Sequence, residues 1–307
     1  MRFIRFNRNS FVNGALVLLL LAICPLLLAD SRVLLIKSSD NTYFNKTIEN
    51  LINQAEPGVD FSITTLDETM PEKATGDFDQ VVTLGARAVD HALDRYAQSL
   101  VVHSYLTEHE FRQLELPARH FALLLDQPLD LYLRLTQQLL PGSKIGMIRD
   151  PADWIEPQRL EQSEQQLGIQ LEQIMRRDNE NPVNLVRQVL AHSDALLALP
   201  EPDIFNRTTL RGILLAAYRL NKPLVSYSPA HVKAGALAAV FTTPQQIGAQ
   251  LADLLQELTR GRSNEEPRFR YANQFNIAIN RQVARSLNID IDSDDKVLRR
   301  LRTGDSS

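Results

Sequence analysis

The chain has 307 residues, of which 44% are hydrophobic and 23% charged, and its formal net charge is −4. These values are those of an ordinary globular protein with room for two domains, and they exclude a disordered or collagen-like chain. The acidic balance argues against nucleic acid as a partner, because binding to phosphates requires a basic surface.

The first 29 residues form a pattern typical of a secretory signal peptide. Three arginines precede an uncharged run of 15 residues, Ala15 to Ala29, and no acidic residue is present. The run is shorter than the roughly 20 residues that a membrane-spanning helix needs, and Pro25 lies inside it. We therefore predict that residues 1–29 are removed and that the protein is periplasmic, with retention as a membrane anchor as the alternative. Removal takes away three positive charges and moves the formal charge from −4 to −7.

Cys24, the single cysteine, lies inside this leader. Lipid attachment to Cys24 is a less favoured alternative, because a small residue is expected before a lipid-modified cysteine and Ile23 occupies that position. Once the leader is removed, the chain contains no cysteine and forms no disulfide. Its hydrophobic core alone must then stabilise it, which a chain of this length can achieve.

Residues 30–125 predict a first α/β lobe. Two segments, 43–55 and 86–96, show the helical spacing of apolar residues and alternate with runs of strand length. These runs are apolar through their middle, which indicates a parallel sheet covered on both faces. The predicted strands are 32–37, 59–64, 79–84, 100–104 and 121–125.

A crossover at 126–142, with a helix at 129–140, leads to a second lobe, residues 143–245. This lobe repeats the alternation of strands and helices, with Gly168 closing one helix and Pro182 in the first turn of the next. The predicted strands are 144–148, 169–174, 194–199, 223–226 and 236–241, and the predicted helices are 154–167, 182–191 and 204–220.

The C-terminal part predicts a return towards the first lobe. Residues 246–269 form a helix and a polar linker, and Thr243 is the expected N-cap, with Pro244 in the first turn. Residues 270–290 are expected to pack near the first lobe, and residues 291–307 to form a charged, frayed tail. The predicted fold is therefore α/β: two doubly wound parallel-sheet lobes joined by a multi-segment hinge, with chain crossings near 126 and within 240–275.

One stretch, Lys222 to Gly248, resembles a known family. Its sequence, KPLVSYSPAHVKAGALAAVFTTPQQIG, is similar to the C-terminal half of the substrate-binding components of ABC importers, and looser matches lie at 81–93, 139–151 and 273–291. The resemblance implies a periplasmic-binding-protein type I fold, a small-molecule ligand between the lobes, and an inner-membrane ABC permease as partner. We expect a monomer.

The ligand-binding candidates are residues that follow predicted strands, because ligands bind beyond the carboxyl ends of strands in open α/β sheets. Their hydroxyls, backbone N–H groups and rings suit a small polar or amino-acid-like molecule, although the serines have helix capping as an alternative role. Tyr227 is the strongest candidate, because a loop tyrosine directly after a buried strand can present both its ring and its hydroxyl. The candidates are Ser38, Ser39, Gly85, Ala86, Ser104, Tyr105, Asp150, Pro200, Glu201, Ser226, Tyr227 and Thr242.

Metal and catalytic motifs are weak in this sequence. His91, His103, His109 and His120 lack regular ligand spacing, so isolated surface or partly buried histidines are expected. The acidic run that begins at Asp290 lacks the glycine and the final glutamate of a calcium loop. No Walker A, GxGxxG, GxSxG or CxxC motif is present. We therefore expect a binding protein without cofactor, metal or enzymatic activity. A periplasmic sensor of the same fold that signals to a membrane receptor is the alternative, and an exported enzyme is less favoured.

Overall fold

The computed structural model describes residues 31–66, 78–150, 155–177, 179–261 and 268–304. The predicted signal peptide, residues 1–29, lies outside the described residues. Among the helices that the structure does describe, none is both long enough and apolar enough to cross a membrane.

Strands and helices alternate along the described chain, as the sequence predicts. The strands are β1 (Ser31–Lys37), β2 (Val59–Thr65), β3 (Gln80–Leu84), β4 (Leu100–Ser104), β5 (His120–Leu124), β6 (Lys144–Arg149), β7 (Gln170–Met175), β8 (Ala195–Leu197), β9 (Leu224–Ser226), β10 (Ala238–Phe241), β11 (Phe269–Tyr271) and β12 (Asn276–Ile279). The helices are α1 (Thr42–Gln54), α2 (Ala86–Arg95), α3 (Glu108–Arg112), α4 (Leu129–Leu139), α5 (Pro157–Leu167), α6 (Pro182–Leu190), α7 (Leu210–Arg219), α8 (Pro229–Ala234), α9 (Pro244–Thr259), α10 (Arg281–Ser286) and α11 (Asp294–Thr303).

The strands form two six-stranded sheets, one in each lobe. The first has the order β11-β5-β4-β3-β1-β2 and is parallel, and the second has the order β12-β10-β9-β8-β6-β7, with only β12 antiparallel. Alternate residues of β1 pack on opposite faces: Val33 and Leu35 join the core beneath α1 and α9, whereas Leu34 and Ile36 join the core beneath α2. This arrangement explains the uninterrupted apolar runs and confirms the predicted fold class.

The chain passes between the lobes three times, at 125–128, 242–243 and 272–275, and hydrogen bonds tie these crossings together. The side-chain amide of Gln127 donates to the Thr242 hydroxyl at 2.7 Å, and that hydroxyl donates to the Gln274 carbonyl at 3.2 Å. Gln250 of α9 accepts from the backbone N–H of Asn273 at 2.7 Å. The three crossings therefore form a connected, multi-segment hinge.

Helix α9 follows the second crossing and packs along α1 in the first lobe. Thr243 and Gln246 form a reciprocal capping box at its start, and Pro244 occupies the first turn, as predicted. Gly248 allows the close approach, since a Cβ atom there would collide with the carbonyl oxygen of Thr47. Helix packing thus explains Gly248, the last residue of the stretch that resembles the family.

Two sequence expectations about helices differ from the structure. The helix predicted at 204–220 begins only at Leu210, because the side chain of Asn206 accepts from the backbone N–H groups of Thr208 and Thr209 and so folds the segment into a turn. The tail predicted to fray at 291–307 contains α11, which buries Val297 and Leu301 against the core of the second lobe. In the sequence, Val297 and Leu301 stand at i and i+4, which fits a helix, but the charged residues around them favoured the prediction of a frayed tail.

The C-terminal return is divided between the two lobes. Of the residues expected to pack near the first lobe, β11 does so as a parallel neighbour of β5, and Ala272 joins the core there. Strand β12 instead extends the second sheet beside β10, and α10 follows it there. The reason is the third crossing at 272–275, which the sequence does not mark with proline or glycine.

Candidate functional site

A cavity of about 360 Å³ lies between the lobes, next to the hinge crossings. We call it the interlobe cavity. This volume lies within the range of about 300–1,000 Å³ that is usual for small-molecule sites. The residues that line it are Tyr43, Tyr105, Thr107, Leu125, Asp126, Tyr132, Pro200, Tyr227, Ser228, Pro229, Ala230, Lys233, Phe241, Thr242, Thr243, Pro244 and Ile247.

Five aromatic side chains line the interlobe cavity. They come from both lobes, and among the described residues they are Tyr43, Tyr105, Tyr132, Tyr227 and Phe241. Such a wall offers ring faces for stacking and hydroxyl groups for hydrogen bonds. It suits a molecule with a flat or apolar part better than a uniformly polar one.

Tyr105 is held in place by its backbone and by its hydroxyl. It follows β4 with φ of 62°, a left-handed conformation that is uncommon for a bulky residue and is often found at functional sites. Its hydroxyl lies 2.6 Å from the Thr47 hydroxyl, which in turn donates to the carbonyl of Pro244 at 3.1 Å. Its ring packs edge-to-face on Phe44 at 4.9 Å. Burial raises the pKa of Tyr105 to about 12, so the hydroxyl stays protonated.

Tyr227 is positioned from the second lobe in a similar way. It follows β9, its hydroxyl donates to the carbonyl of Phe205 at 3.1 Å, and its ring packs edge-to-face on His231 at 4.9 Å. Burial raises its pKa to about 12, so this hydroxyl is also neutral. Because the hydroxyl already donates within the protein, the ring and the acceptor lone pairs are what Tyr227 offers to the cavity.

Asp126 lies two residues after the end of β5 and, among the described residues, is one of two charged residues in the cavity lining. Its side chain is buried, and both carboxylate oxygens accept from the backbone N–H of Glu108 at 3.1 Å. Burial, reinforced by the carboxylates of Glu108 and Glu110, raises the pKa of Asp126 to about 7. The carboxyl group therefore keeps its proton to a higher pH than a carboxyl group in water does.

Tyr132 and Lys233 are two further polar residues of the lining. The backbone N–H of Gln127 donates to the Tyr132 hydroxyl at 3.0 Å, which leaves the hydrogen of that hydroxyl available to another acceptor. Burial, together with the nearby Asp126, raises the pKa of Tyr132 well above its usual value. Lys233 on α8 is exposed and makes no hydrogen bond or ion pair to any residue that the structure describes. The described lining thus contains one acid, Asp126, and one base, Lys233.

Four of the twelve candidates from the sequence line the interlobe cavity. Two of them follow strands of the sheets directly, one lies at the hinge, and one belongs to the loop after β8. They are Tyr105, Tyr227, Thr242 and Pro200. The other eight are not among the lining residues, and most have structural roles in the fold.

The candidates at the ends of β1 and β3 contact neighbouring residues of the protein. Ser38 accepts from the backbone N–H of Ala88 at 2.9 Å and so caps α2. Gly85 has φ of 90°, and a Cβ atom there would lie 2.9 Å from the Ser38 hydroxyl and 3.0 Å from the Phe44 ring. Ser39 and Ala86 are exposed beside them. At this end of the sheet, side chains of the protein fill the space that a ligand would need.

The remaining candidates make contacts within the second lobe or the first sheet. Ser104 donates to the carbonyl of Leu123 at 3.1 Å, and Ser226 is bonded to Nδ1 of His231 at 2.7 Å. Asp150 pairs with Arg176 at 2.5 Å. Glu201 is buried, and its carbonyl accepts from the backbone N–H groups that follow it.

Sequence reasoning left four prominent lining residues out of the candidate set. Asp126 stands at a strand end and could have been chosen, but the following Gln-Pro favoured a turn. Tyr43 and Tyr132 lie in the first turns of helices, and Lys233 lies within one, so the rule on strand ends does not reach them. These residues lie close in sequence to the crossings or to strand ends, and this proximity is the signal that could have identified them.

Two of the four clustered histidines form a pair in the core of the first lobe. His103 and His120 lie with Nε2 and Nδ1 3.0 Å apart, and Thr83 bonds to the other nitrogen of His103 at 2.8 Å. Burial lowers the pKa of His103 to about 3, so this ring is neutral. Both rings are fully buried and bonded to each other. The expectation of isolated, partly buried rings was therefore wrong for this pair. Within the described ranges, no group of three or more His, Cys, Asp and Glu residues could hold a metal ion.

Comparison with known proteins identifies the family of this chain. A family model described as ABC transporter substrate binding protein matches residues 126–301, more than half of the chain. No protein of curated function matches the sequence.

Three solved structures share the fold at low sequence identity. A conserved domain protein from Vibrio cholerae is 19% identical with a TM-score of 0.57, covering 88% of this chain and 98% of its own. An ABC domain from Streptococcus pneumonia in complex with L-Trp is 14% identical with a TM-score of 0.57 and the same coverage. A ligand-free, open substrate binding protein from Clostridium difficile is 12% identical with a TM-score of 0.67, covering 86% and 97%.

Proposed function

The chain belongs to the ABC transporter substrate binding protein family, and from this membership we propose that it is the periplasmic solute-binding component of an ABC importer. It captures a small polar or amino-acid-like molecule between its two lobes and presents it to an inner-membrane permease. The location rests on the leader pattern of residues 1–29, which is that of a secretory signal peptide. The protein acts by binding and performs no chemistry on its ligand.

The interlobe cavity is the observation that supports this proposal most strongly. Its wall combines residues of the first lobe, such as Tyr105, with residues of the second, such as Tyr227, and with hinge residues such as Thr242. A molecule that occupies it contacts both lobes at once. Its binding energy therefore favours the arrangement in which the lobes close on it, which is the usual transition of two-lobed binding proteins.

The lining favours a ligand with both an apolar ring and a few polar groups. Aromatic side chains form much of the wall, while one carboxyl group and one ammonium group provide opposite charges. The Streptococcus pneumonia structure, which carries L-Trp, is an example of such a ligand in a similar fold. We include aromatic amino acids in the class of small amino-acid-like molecules that this cavity accepts.

A ligand screen on the mature protein, residues 30–307, tests the proposal. Amino acids, amines and sugars are compared by thermal shift, and each compound that binds is examined by small-angle X-ray scattering. We expect a ligand to raise the melting temperature and to reduce the radius of gyration as the lobes close. A compound that binds tightly while the radius of gyration stays constant would contradict capture between the lobes. A permease and an ATPase encoded beside the gene favour import, whereas a neighbouring membrane receptor favours sensing.

A further inference from the structure

Asp126 is a buried carboxylate that no cation in the described part of the chain neutralises. Only 4% of its surface is exposed, and its hydrogen-bond partners among the described residues are backbone N–H groups, those of Glu108 and of Asp126 itself. No lysine, arginine or histidine that the structure describes forms an ion pair with it. An isolated carboxylate in such a setting is expensive to ionise, and it either keeps a proton or acquires a cationic partner.

The groups packed around Asp126 do not supply that partner. Glu108 and Glu110 face it from α3, and both carry the same charge as Asp126. Arg112, the nearest cation on α3, is engaged by the carboxylate of Glu108 at 2.6 Å, and the Tyr271 hydroxyl also donates to that carboxylate. From α4, Tyr132 offers only a neutral hydroxyl.

The interlobe cavity is the direction from which a cation can reach Asp126. Asp126 lines it, as do the rings of Tyr43, Tyr105, Tyr132 and Tyr227. Tyrosine faces attract cations, and they do so more strongly where water is excluded. Lys233 also lines the cavity, but it is exposed on α8 and remains solvated.

We propose that Asp126 determines specificity: it selects ligands that carry a positively charged nitrogen beside an aromatic ring, and that nitrogen is the counter-ion that the free protein lacks. The inference rests on the proposed function and names the ligand class for the same cavity. Two sources share this chemistry, zwitterionic aromatic amino acids and aromatic amines without a carboxylate. Lys233 distinguishes them, because only the amino acid has a carboxylate for its ammonium group.

The proposal requires the affinity to depend on pH in a definite direction. The ligand binds to the ionised carboxylate, so a protein whose Asp126 is protonated must first release that proton. Since the pKa of Asp126 in the free protein is raised to about 7, binding should weaken by about tenfold between pH 8 and pH 6. A neutral ligand would show no such dependence through Asp126.

Calorimetry with four probes on the mature protein tests the proposal. The probes are L-tryptophan, tryptamine, indole-3-propionate, which lacks the amine, and myo-inositol, which is neutral. We expect L-tryptophan or tryptamine to bind, and indole-3-propionate and myo-inositol to bind at least about tenfold more weakly, since hydrogen bonds to charged groups carry that much energy. Preference for L-tryptophan that disappears in Lys233→Gln identifies the amino acid as the source, and equal binding identifies the amine.

Substitution of the carboxylate provides the second arm. Asp126→Asn keeps the size and an acceptor for the Glu108 N–H, and it should weaken the bound amine by about tenfold to hundredfold and abolish the pH dependence. Asp130→Asn is the matched control, because Asp130 lies on α4, bonds to Ser163 at 2.8 Å and does not line the cavity. It should leave both quantities unchanged. Circular dichroism verifies that each variant is folded.

The outcomes separate this inference from the proposed function. If a neutral or anionic probe binds and closes the lobes while the amines do not, or if wild-type affinity for an amine is constant between pH 6 and pH 8, the role of Asp126 is wrong and capture between the lobes stands. If the amines do not bind and no solute of the wider screen changes the radius of gyration, both fail.

Discussion

Two sets of strand ends in the first sheet have different relations to the interlobe cavity. At the ends of β1 and β3, Ser38 caps a helix and Gly85 packs against Phe44, so the space is already occupied. At the ends of β4 and β5, Tyr105 and Asp126 line the cavity. Both sets lie at the carboxyl ends of parallel strands, where ligands bind in open α/β sheets. In the first sheet, the strand ends that line the cavity are thus those of β5, which leads into the first crossing, and of its neighbour β4.

The comparison predicts its largest effect at Gly85. Gly85→Ala should destabilise the protein by about 2–3 kcal/mol, because the positive φ disfavours a Cβ atom and the new atom would press on Ser38 and Phe44. Urea denaturation measures this loss. Ligand affinity of the folded variant should match that of the wild type. A marked loss of affinity without loss of stability would place this strand end in the site.

The next effect is the dependence of stability on pH at Asp126. Its pKa in the folded, ligand-free protein is about 7, above the usual 3.8, so its contribution to stability is present in full below about pH 4 and is lost as the pH rises through about 7. Asp126→Asn cannot ionise and should be more stable than the wild type at pH 8, by about 1.4 kcal/mol for each unit by which burial raises the pKa of Asp126. The gap should close towards pH 4.

Denaturation of both proteins without ligand at several pH values measures this gap. Asp130→Asn should show no comparable gap, because its carboxylate is not confined within the cavity wall. A wild-type protein that matched Asp126→Asn at every pH would indicate that the Asp126 carboxylate is solvated or already paired.

A smaller effect is expected at Tyr227, on the opposite wall of the cavity. Tyr227→Ala removes a ring from the lining and should weaken ligand binding by about tenfold, equivalent to about 1.4 kcal/mol. Tyr227→Phe keeps the ring and loses only the bond to the Phe205 carbonyl, so its affinity should remain close to that of the wild type. Calorimetry compares the two, with Tyr218→Ala on the exposed face of α7 as control. Unchanged affinity in folded Tyr227→Ala would remove this residue from the site.

The smallest effect belongs to Ser38. Ser38→Ala removes the side-chain acceptor for the Ala88 N–H, which keeps its bond to the Gly85 carbonyl at 3.1 Å, and should cost about 0.5–1 kcal/mol of stability, as the loss of a helix cap does. Ligand affinity should not change, and thermal denaturation together with calorimetry checks both quantities. A selective loss of affinity here would reverse the comparison between the two sets of strand ends.

The sequence was informative about elements whose local residues determine them. The capping box at Thr243, with Pro244 after it, marks the start of α9, and the apolar runs of β1 and β3 indicate a sheet buried on both faces. Local patterns do not specify which strand ends meet across the cleft, because that depends on the order of strands and on the three crossings. Asp126 shows the limit: its sequence context fits a turn equally well, and only the surrounding fold reveals a buried carboxylate.

The tail and the Asn206 segment were missed for a related reason. The two apolar residues that anchor α11, Val297 and Leu301, become significant only once α4 provides a surface for them. At Asn206, side-chain hydrogen bonds compete with the helix, although propensity alone would continue it. Both are cases in which tertiary contacts or side-chain bonds override a weak local preference.

A crystal structure of the mature protein with a bound ligand from the screen tests the central claim most directly. We expect the ligand to lie in the interlobe cavity, with the lobes closed on it, in contact with Tyr105 and Tyr227 and with its charged nitrogen within hydrogen-bond distance of the Asp126 carboxylate. A ligand bound at the ends of β1 and β3, or outside the cleft altogether, would contradict the assignment of the site to the strand ends beside the crossings.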